Sequence, residues 1–397
     1  LGLDDAYRFA RGEVVTATSG LKARLSRPLD FLVASDHSDG MGFFNMLAAG
    51  DPLIMAEPLG VRWHELLKSG EGHVAGREII NAFSQGTLPW KTNDPELMAP
   101  VWKQVVDAAE RHNTPGAFTA FIGYEWTSLV KGNNLHRVVI RRDGAERAGA
   151  VLPYTLGDSA DPEDLWAYMA RYQQQTGGRV LAIPHNGNLS NGMMFADLTL
   201  AGEAYDSDYL RRRQQWEPLV EVTQIKGDGE THPLLSPEDE FAEYETRDAG
   251  NLDFSQAKTD DMLRYEYARE ALKRGLDYQA RHGINPFEFG LIGSSDSHTS
   301  LAAVEEDNFF GKTTSKEPGP KRAQGYFNKT DQGAIYNWQQ VSSGYAAVWA
   351  RENTREALWD AMSRREVYGT TGSRITVRLF GGWGFTLADS QAPDLAA

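Results

Sequence analysis

The sequence predicts an α/β chain closed as a barrel rather than spread as an open sheet. Strand-sized apolar, β-branched runs recur and stop at polar residues. They are nearly continuous rather than alternating, as in strands covered on both faces within a parallel sheet. Helical patterns with recognisable starts lie between them. The chain has 397 residues, 41% of them hydrophobic, and strands alternating with helices over that length favour the barrel.

Taken in order, the runs are "DFLVAS" before Asp36 and His37, "FTAFIGY" before Glu125, "RVLAIP" before His185, "LVEVTQI" before Lys226, and "FGLIGSS" before Asp296. "NDPELMAPVWKQVVDAAERHN" opens a helix with Asp94 as cap and Pro95 in the first turn. "DPEDLWAYMARYQQQTGG" repeats the device with Asp161 and Pro162 and closes on Gly177. Residues 257–282 form a long amphipathic candidate ended by Gly283, and Asn353 with Glu356 opens the last helix as a capping-box-like start. Stretches near 49–94, 186–215, 227–256 and 302–343 lack periodicity and are expected to be long loops over the barrel's C-terminal mouth. From Arg374 onward the sequence starts as a strand and decays, the beginning of a strand-rich extension.

Composition removes several classes of function. Lys and Arg total 40 against 55 Asp and Glu, a net charge of −15, which repels duplex DNA and anionic membranes, so neither is an expected partner. No apolar run approaches the ~18 residues that span a bilayer. There is no cysteine, which excludes disulfides, thiolate zinc sites and a cysteine nucleophile. Any metal must be held by His, Asp and Glu. The first residue is Leu1, with no basic and apolar leader before it. A leader already removed and the lack of cysteine favour a periplasmic or secreted location over a cytoplasmic one.

The candidate site comes from repetition. In "FGLIGSSDSHTS", Asp296 and His298 stand two residues apart and share one side of an extended chain. A helix-capping loop explains either residue alone. Yet His37 and His185 also follow apolar runs, His136 begins one in "NNLHRVVI", and Glu125 ends another. In a barrel these ends converge on one mouth, bringing four imidazoles and two carboxylates together. Imidazole with carboxylate suits Zn, Mn or Fe, and a shared carboxylate can bridge two ions. The metal ligands are therefore expected to be His37, Glu125, His136, His185, Asp296 and His298. Glu125, Asp296 and His232 are the candidate catalytic residues, and Lys226 and Asn186 are candidate contacts to a small anionic substrate. His64, His73, His112 and His282 have no strand end beside them and read as packing or solvated residues.

The motifs "ASDHSDG", "GYEWTS", "NNLHRVVI", "AIPHNGNLSNG" and "GLIGSSDSHTS" resemble the metal motifs of the PHP superfamily, the polymerase and histidinol phosphatase group, in a bacterial branch catalogued as a domain of unknown function. That resemblance implies a distorted seven-stranded, TIM-like barrel over residues 1–372, with 373–397 as the truncated extension. It implies up to three divalent ions and phosphoester hydrolysis. By motif, Glu125 resembles a bridging carboxylate, His136 and His185 the imidazoles of one ion, His37 and His298 those of an outer ion, and Asp296 a carboxylate of the third. No histidine precedes His37, so the His-x-His strand of that pattern is missing from the start. The expected function is a metal-dependent hydrolase, foremost a phosphoesterase, using hydroxide activated by a two- or three-metal cluster. The alternative is a barrel that binds a glycan or small molecule without catalysis.

Overall fold

The computed structural model describes residues 1–313, 318–320, 324–330, 333–340 and 343–391. Its central sheet has four strands in the order Phe31–Val33, Thr119–Trp126, Arg137–Arg141 and Val180–Pro184. The first pair is parallel, but Arg137–Arg141 runs antiparallel to both of its neighbours. A second sheet sets Leu219–Gln224 between the antiparallel Gly227–Asp228 and the parallel Gly290–Gly293. Against Gly290–Gly293 lies the antiparallel pair of Gly344–Val348 and Val367–Thr371. The approach is close enough that a Cβ on Gly369 would stand 2.8 Å from the Gly293 nitrogen, so only glycine fits there.

This corrects the expected seven-stranded barrel. Among the described residues each sheet has two to four strands and none closes on itself. The strand at Arg137–Arg141 returns directly beside its predecessor, so the regular strand–helix alternation that closes a barrel is broken there. Nearly continuous apolar runs report that both faces are covered, and they do so here without reporting strand direction.

The faces are covered as follows. Along Thr119–Trp126 every residue is buried. Ala120, Ile122, Tyr124 and Trp126 face a large core containing Trp102, Leu165, Trp166, Met169 and Leu210, supplied by the helices Pro95–His112, Pro162–Thr176 and Ser207–Trp216. Phe121 faces the other way, into a cluster with Ile140, Leu181, Ile183 and Ile292 that Leu358, Trp359 and Met362 of the Arg355–Ser363 helix cover. The proline-led helix starts form as the sequence predicts: Asp94 and Asp161 each accept a backbone N–H, from Glu96 and Glu163.

Four other expectations are corrected. The region 49–94 is not loop but carries the helices Pro52–Met55, Pro58–Lys68 and Gly72–Ser84, with a core of Leu47, Ile54, Trp63, Ala75 and Ile79. The long helix over 257–282 is two pieces, Asp260–Leu263 and Ala268–His282. The final helix is capped by Thr354, whose side chain accepts from Ala357; Asn353 instead accepts from the Thr119 hydroxyl and donates to the Asp30 carbonyl. Past Thr371 no strand follows among the described residues, only the short helix Leu387–Ser390, and 392–397 of the expected extension lie outside those residues. No helix among the described residues is long and apolar enough to cross a membrane.

Candidate metal centre

The site grows out of the sheet's register. Gly123 pairs with Ile140 and Glu125 with Val138, while Ile140 pairs with Leu181 and Val138 with Ile183. Side chains two apart on a strand share a face. One face therefore carries three columns: Phe121, Gly123, Glu125; then Ile140, Val138, His136; then Leu181, Ile183, His185. Each column is apolar until its last position, where a ligand-type side chain appears. The fourth member arrives by a parallel bridge between His37 and Glu125, with Ser38 N donating to Glu125 O at 2.8 Å and Glu125 N to Asp36 O at 2.9 Å.

Three imidazoles converge on one carboxylate. Glu125 Oε1 lies 2.8 Å from His136 Nδ1 and 2.7 Å from His185 Nε2, and Oε2 lies 3.0 Å from His37 Nδ1. Burial pushes the Glu125 carboxyl up, but the charges of His37, His136 and His185 outweigh it and hold it well below the usual range. Burial takes His136 down to about 4 against the opposing pull of Glu125. For His37 and His185 the pull of Glu125 exceeds burial and the shift is upward.

Asp296 and His298 are held differently from the expectation. The strand stops at Gly293, and Asp296 has φ 48°, in the left-handed region, so the two residues do not share a side by strand alternation. What gathers them is Lys312, whose Nζ lies 2.8 Å from both Asp296 Oδ2 and His298 Nδ1. Lys226 Nζ stands 2.6 Å from the same Asp296 oxygen. Burial raises the Asp296 carboxyl, but Lys226 and Lys312 overcome it and hold it far below the usual range. Burial and the Lys312 charge lower His298 to about 3. Its ring centroid is still 5.5 Å from that of His37, so the two groups of residues share one chamber.

That chamber is a cavity of 1920 Å³ lined by His37, Glu125, His136, His185, Lys226, Arg247, Asp296, His298 and Lys312, among others. His37 and His298 each leave 38% of their side chains accessible, against 2% for His136 and 3% for His185. An incoming molecule therefore meets the cluster from the side of His37 and His298. Two expected site residues are not part of it. His232 Nε2 donates to Asp248 Oδ2 at 3.0 Å, its Nδ1 accepts from Leu234 N at 3.2 Å, and the residue does not line the cavity. Asn186, at φ 51°, turns the chain after His185 and accepts from Gln224 Nε2 at 2.7 Å, also away from the lining. The sequence reading missed Lys312. It lies within a stretch without periodicity, and only an apolar flank such as "NFFGK" hints at burial.

A metal fits the donors present. His37, Glu125 and His136 can hold an ion, since one ligand atom from each lies within 4.8 Å of the others. His185 meets the same carboxylate from outside that group. His136 Nε2 and His185 Nδ1 are buried with no hydrogen-bond partner among the described residues, a state that costs about 1–3 kcal/mol for each group left unpaired. Nitrogen and carboxylate donors without sulfur suit a borderline divalent ion.

A family model described as "Protein of unknown function (DUF3604)" matches residues 1–397. The chain belongs to the DUF3604 family. This corrects the resemblance to the PHP superfamily, because no PHP family model matches the chain. Short motifs of histidine and carboxylate at the ends of apolar runs arise wherever a sheet gathers ligands along one edge, so they do not separate families as a match along the whole chain does. No curated protein and no solved structure matches this DUF3604 chain.

Proposed function

We propose that this chain is a metal-dependent hydrolase acting on a small anionic ester, foremost a phosphoester. The observation that carries the reading is the shared Glu125 carboxylate, with three imidazoles around it and a cationic group beside it in the same cavity. Lys226 and Lys312 bring two amines to the single carboxylate of Asp296, burial lowering the Lys312 amine to about 7, and Arg247 lines the same wall. Such a surplus favours a dianionic headgroup over a neutral ester.

A divalent ion held by His37, Glu125 and His136, taken as Zn, Mn or Fe, supplies a Lewis acid that polarises a phosphoryl oxygen and acidifies water. The residues of the chain do the rest. Glu125 fixes the orientation of the rings that meet it, and His37 is further positioned by Thr127 Oγ1 at 2.9 Å. Lys226 and Lys312, both buried, present donors whose positions are set before the anion arrives, so little reorganisation accompanies charge development. Water adds to phosphorus as the ester P–O bond breaks, and the departing oxygen takes one of the water's protons.

The test is hydrolysis of an aryl phosphate by the purified chain. Activity should vanish on chelation and return with Mn or Zn, and Glu125→Gln should abolish it at every metal concentration. Absence of turnover with any of these ions on phosphate, sulfate and carboxylic esters would defeat the proposal.

A further inference from the structure

The cavity is far larger than a phosphate and a metal ion require, and apolar side chains line it as well as charged ones. Pockets that bury drug-sized ligands measure about 300–1,000 Å³, whereas this space measures 1920 Å³. Its wall also includes Phe43, Phe44, Ile80, Phe83, Trp90 and Met98. This apolar wall is tied to the metal loop by the covalent chain itself. His37 lies six positions before Phe43 in the sequence, and Gly40 N donates to Thr92 O at 3.2 Å, pinning the His37 loop beside the segment that carries Trp90. The Phe43 ring stands 5.2 Å from that of Trp90 and 6.3 Å from that of Trp63. Gly42, at φ 84°, brings the loop so close to the Pro95–His112 helix that a Cβ would meet Val101 Cγ2 at 2.8 Å. The aromatic wall is thus built into the fold, yet Phe44 remains 55% and Ile80 48% exposed.

We infer that the substrate is an amphiphile: an anionic ester whose other part is a large apolar group, an aryl or fused-ring system, seated against Phe43, Phe44, Ile80 and Trp90. The inference rests on reading Lys226, Lys312 and the Glu125 cluster as the site of the anion. Charge fixes one end of the ligand and the apolar wall fixes the other. Burying a fused aromatic group there is worth a tenfold to hundredfold gain in affinity, in order of magnitude.

The test uses calorimetry on the full chain with two phosphonates that cannot be hydrolysed, naphthylmethylphosphonate and methylphosphonate. The naphthyl compound should bind at least about tenfold tighter. Phe44→Glu and Ile80→Glu, at half-exposed positions that are not themselves metal ligands, should bring that preference close to unity. Equal affinities in the natural chain, a preference that survives both substitutions, or no binding of either phosphonate would overturn the inference. Turnover separates it from the hydrolase reading. If naphthyl phosphate and methyl phosphate are hydrolysed with equal kcat/KM, the amphiphile fails and the hydrolase stands. Tight, wall-dependent binding of naphthylmethylphosphonate without turnover of naphthyl phosphate leaves the amphiphile and removes the hydrolase.

Discussion

Glu125 Oε1 lies 2.8 Å from His136 Nδ1, and the far nitrogen of that ring, Nε2, is buried with no hydrogen-bond partner among the described residues. A buried polar group left unpaired is costly, and the pairing of imidazole with carboxylate is the usual way to fix a ring for metal binding. The grouping of His37 with Glu125 and His136 sets a ranking. His37→Ala should weaken metal binding beyond the ~10–100-fold that loss of a supporting partner costs, and His185→Ala should stay within that range. Metal titration followed by elemental analysis after dialysis measures both. The opposite order would place the ion among Glu125, His136 and His185.

A second prediction concerns Asp296, which carries two ammonium groups on one oxygen, Lys226 at 2.6 Å and Lys312 at 2.8 Å. Asp296→Asn takes the carboxylate from buried Lys226, and from Lys312, whose amine burial already lowers to about 7, and should cost about 3–5 kcal/mol. Lys312→Met leaves Asp296 paired with Lys226 and should cost less, under about 2 kcal/mol. Urea midpoints give both values. Phosphate should restore stability to Asp296→Asn more than to the natural chain, because the added anion replaces the lost charge. Equal rescue in both would show that the lysines do not take an external anion.

What the sequence reveals and what it hides divide along physical lines. The Asp94–Pro95 and Asp161–Pro162 helix starts are legible because a cap and the residue after it are neighbours in sequence. That Glu125, His136 and His185 gather in one cluster is legible because polar residues terminating apolar runs are unusual, although Glu125 falls inside its strand and not beyond it. Strand direction is not legible: an apolar run covered on both faces reads the same whichever way it runs, and the antiparallel Arg137–Arg141 strand undid the barrel. Lys312 is equally hidden, since its partners Asp296 and His298 lie 16 and 14 residues away across a region without periodicity. His232 reads as a site residue only until Asp248 is seen to take its ring nitrogen.

The buried charge network at Glu217 gives a prediction about the fold itself. Glu217 Oε1 accepts from Arg137 Nε and from Trp166 Nε1, each at 3.0 Å, and its other oxygen lies 3.4 Å from Arg213 Nε. Arg137 is 1% exposed. Glu217→Ala strands two guanidinium groups in the core and should cost about 3–5 kcal/mol. Glu217→Gln keeps an acceptor for the two donors and should cost less. Thermal or urea unfolding would measure the pair, and a small effect of Glu217→Ala would mean that water replaces the carboxylate.

The last prediction is the pH dependence of stability at Asp228. Burial pushes its carboxyl up to about 7, and the Glu230 charge adds to the rise. The Glu230 backbone N–H, which donates to Asp228 Oδ1 at 2.6 Å, and the Arg269 charge work against it. The unfolded chain has an ordinary carboxyl near ~3.9, so between that value and about 7 the folded state holds a proton that the unfolded state releases. The stabilising contribution is therefore complete below the unfolded value and is lost as pH rises through the folded one. Asp228→Asn keeps the Oδ1 acceptor and removes the titration. From about pH 4 to about pH 8 the natural chain should lose on the order of 2 kcal/mol more stability than the variant, allowing for partial exposure of the group. Urea midpoints across that range give the two slopes. Parallel slopes would mean that Asp228 is ionised in the folded chain throughout, and that the Glu230 N–H and Arg269 outweigh its burial.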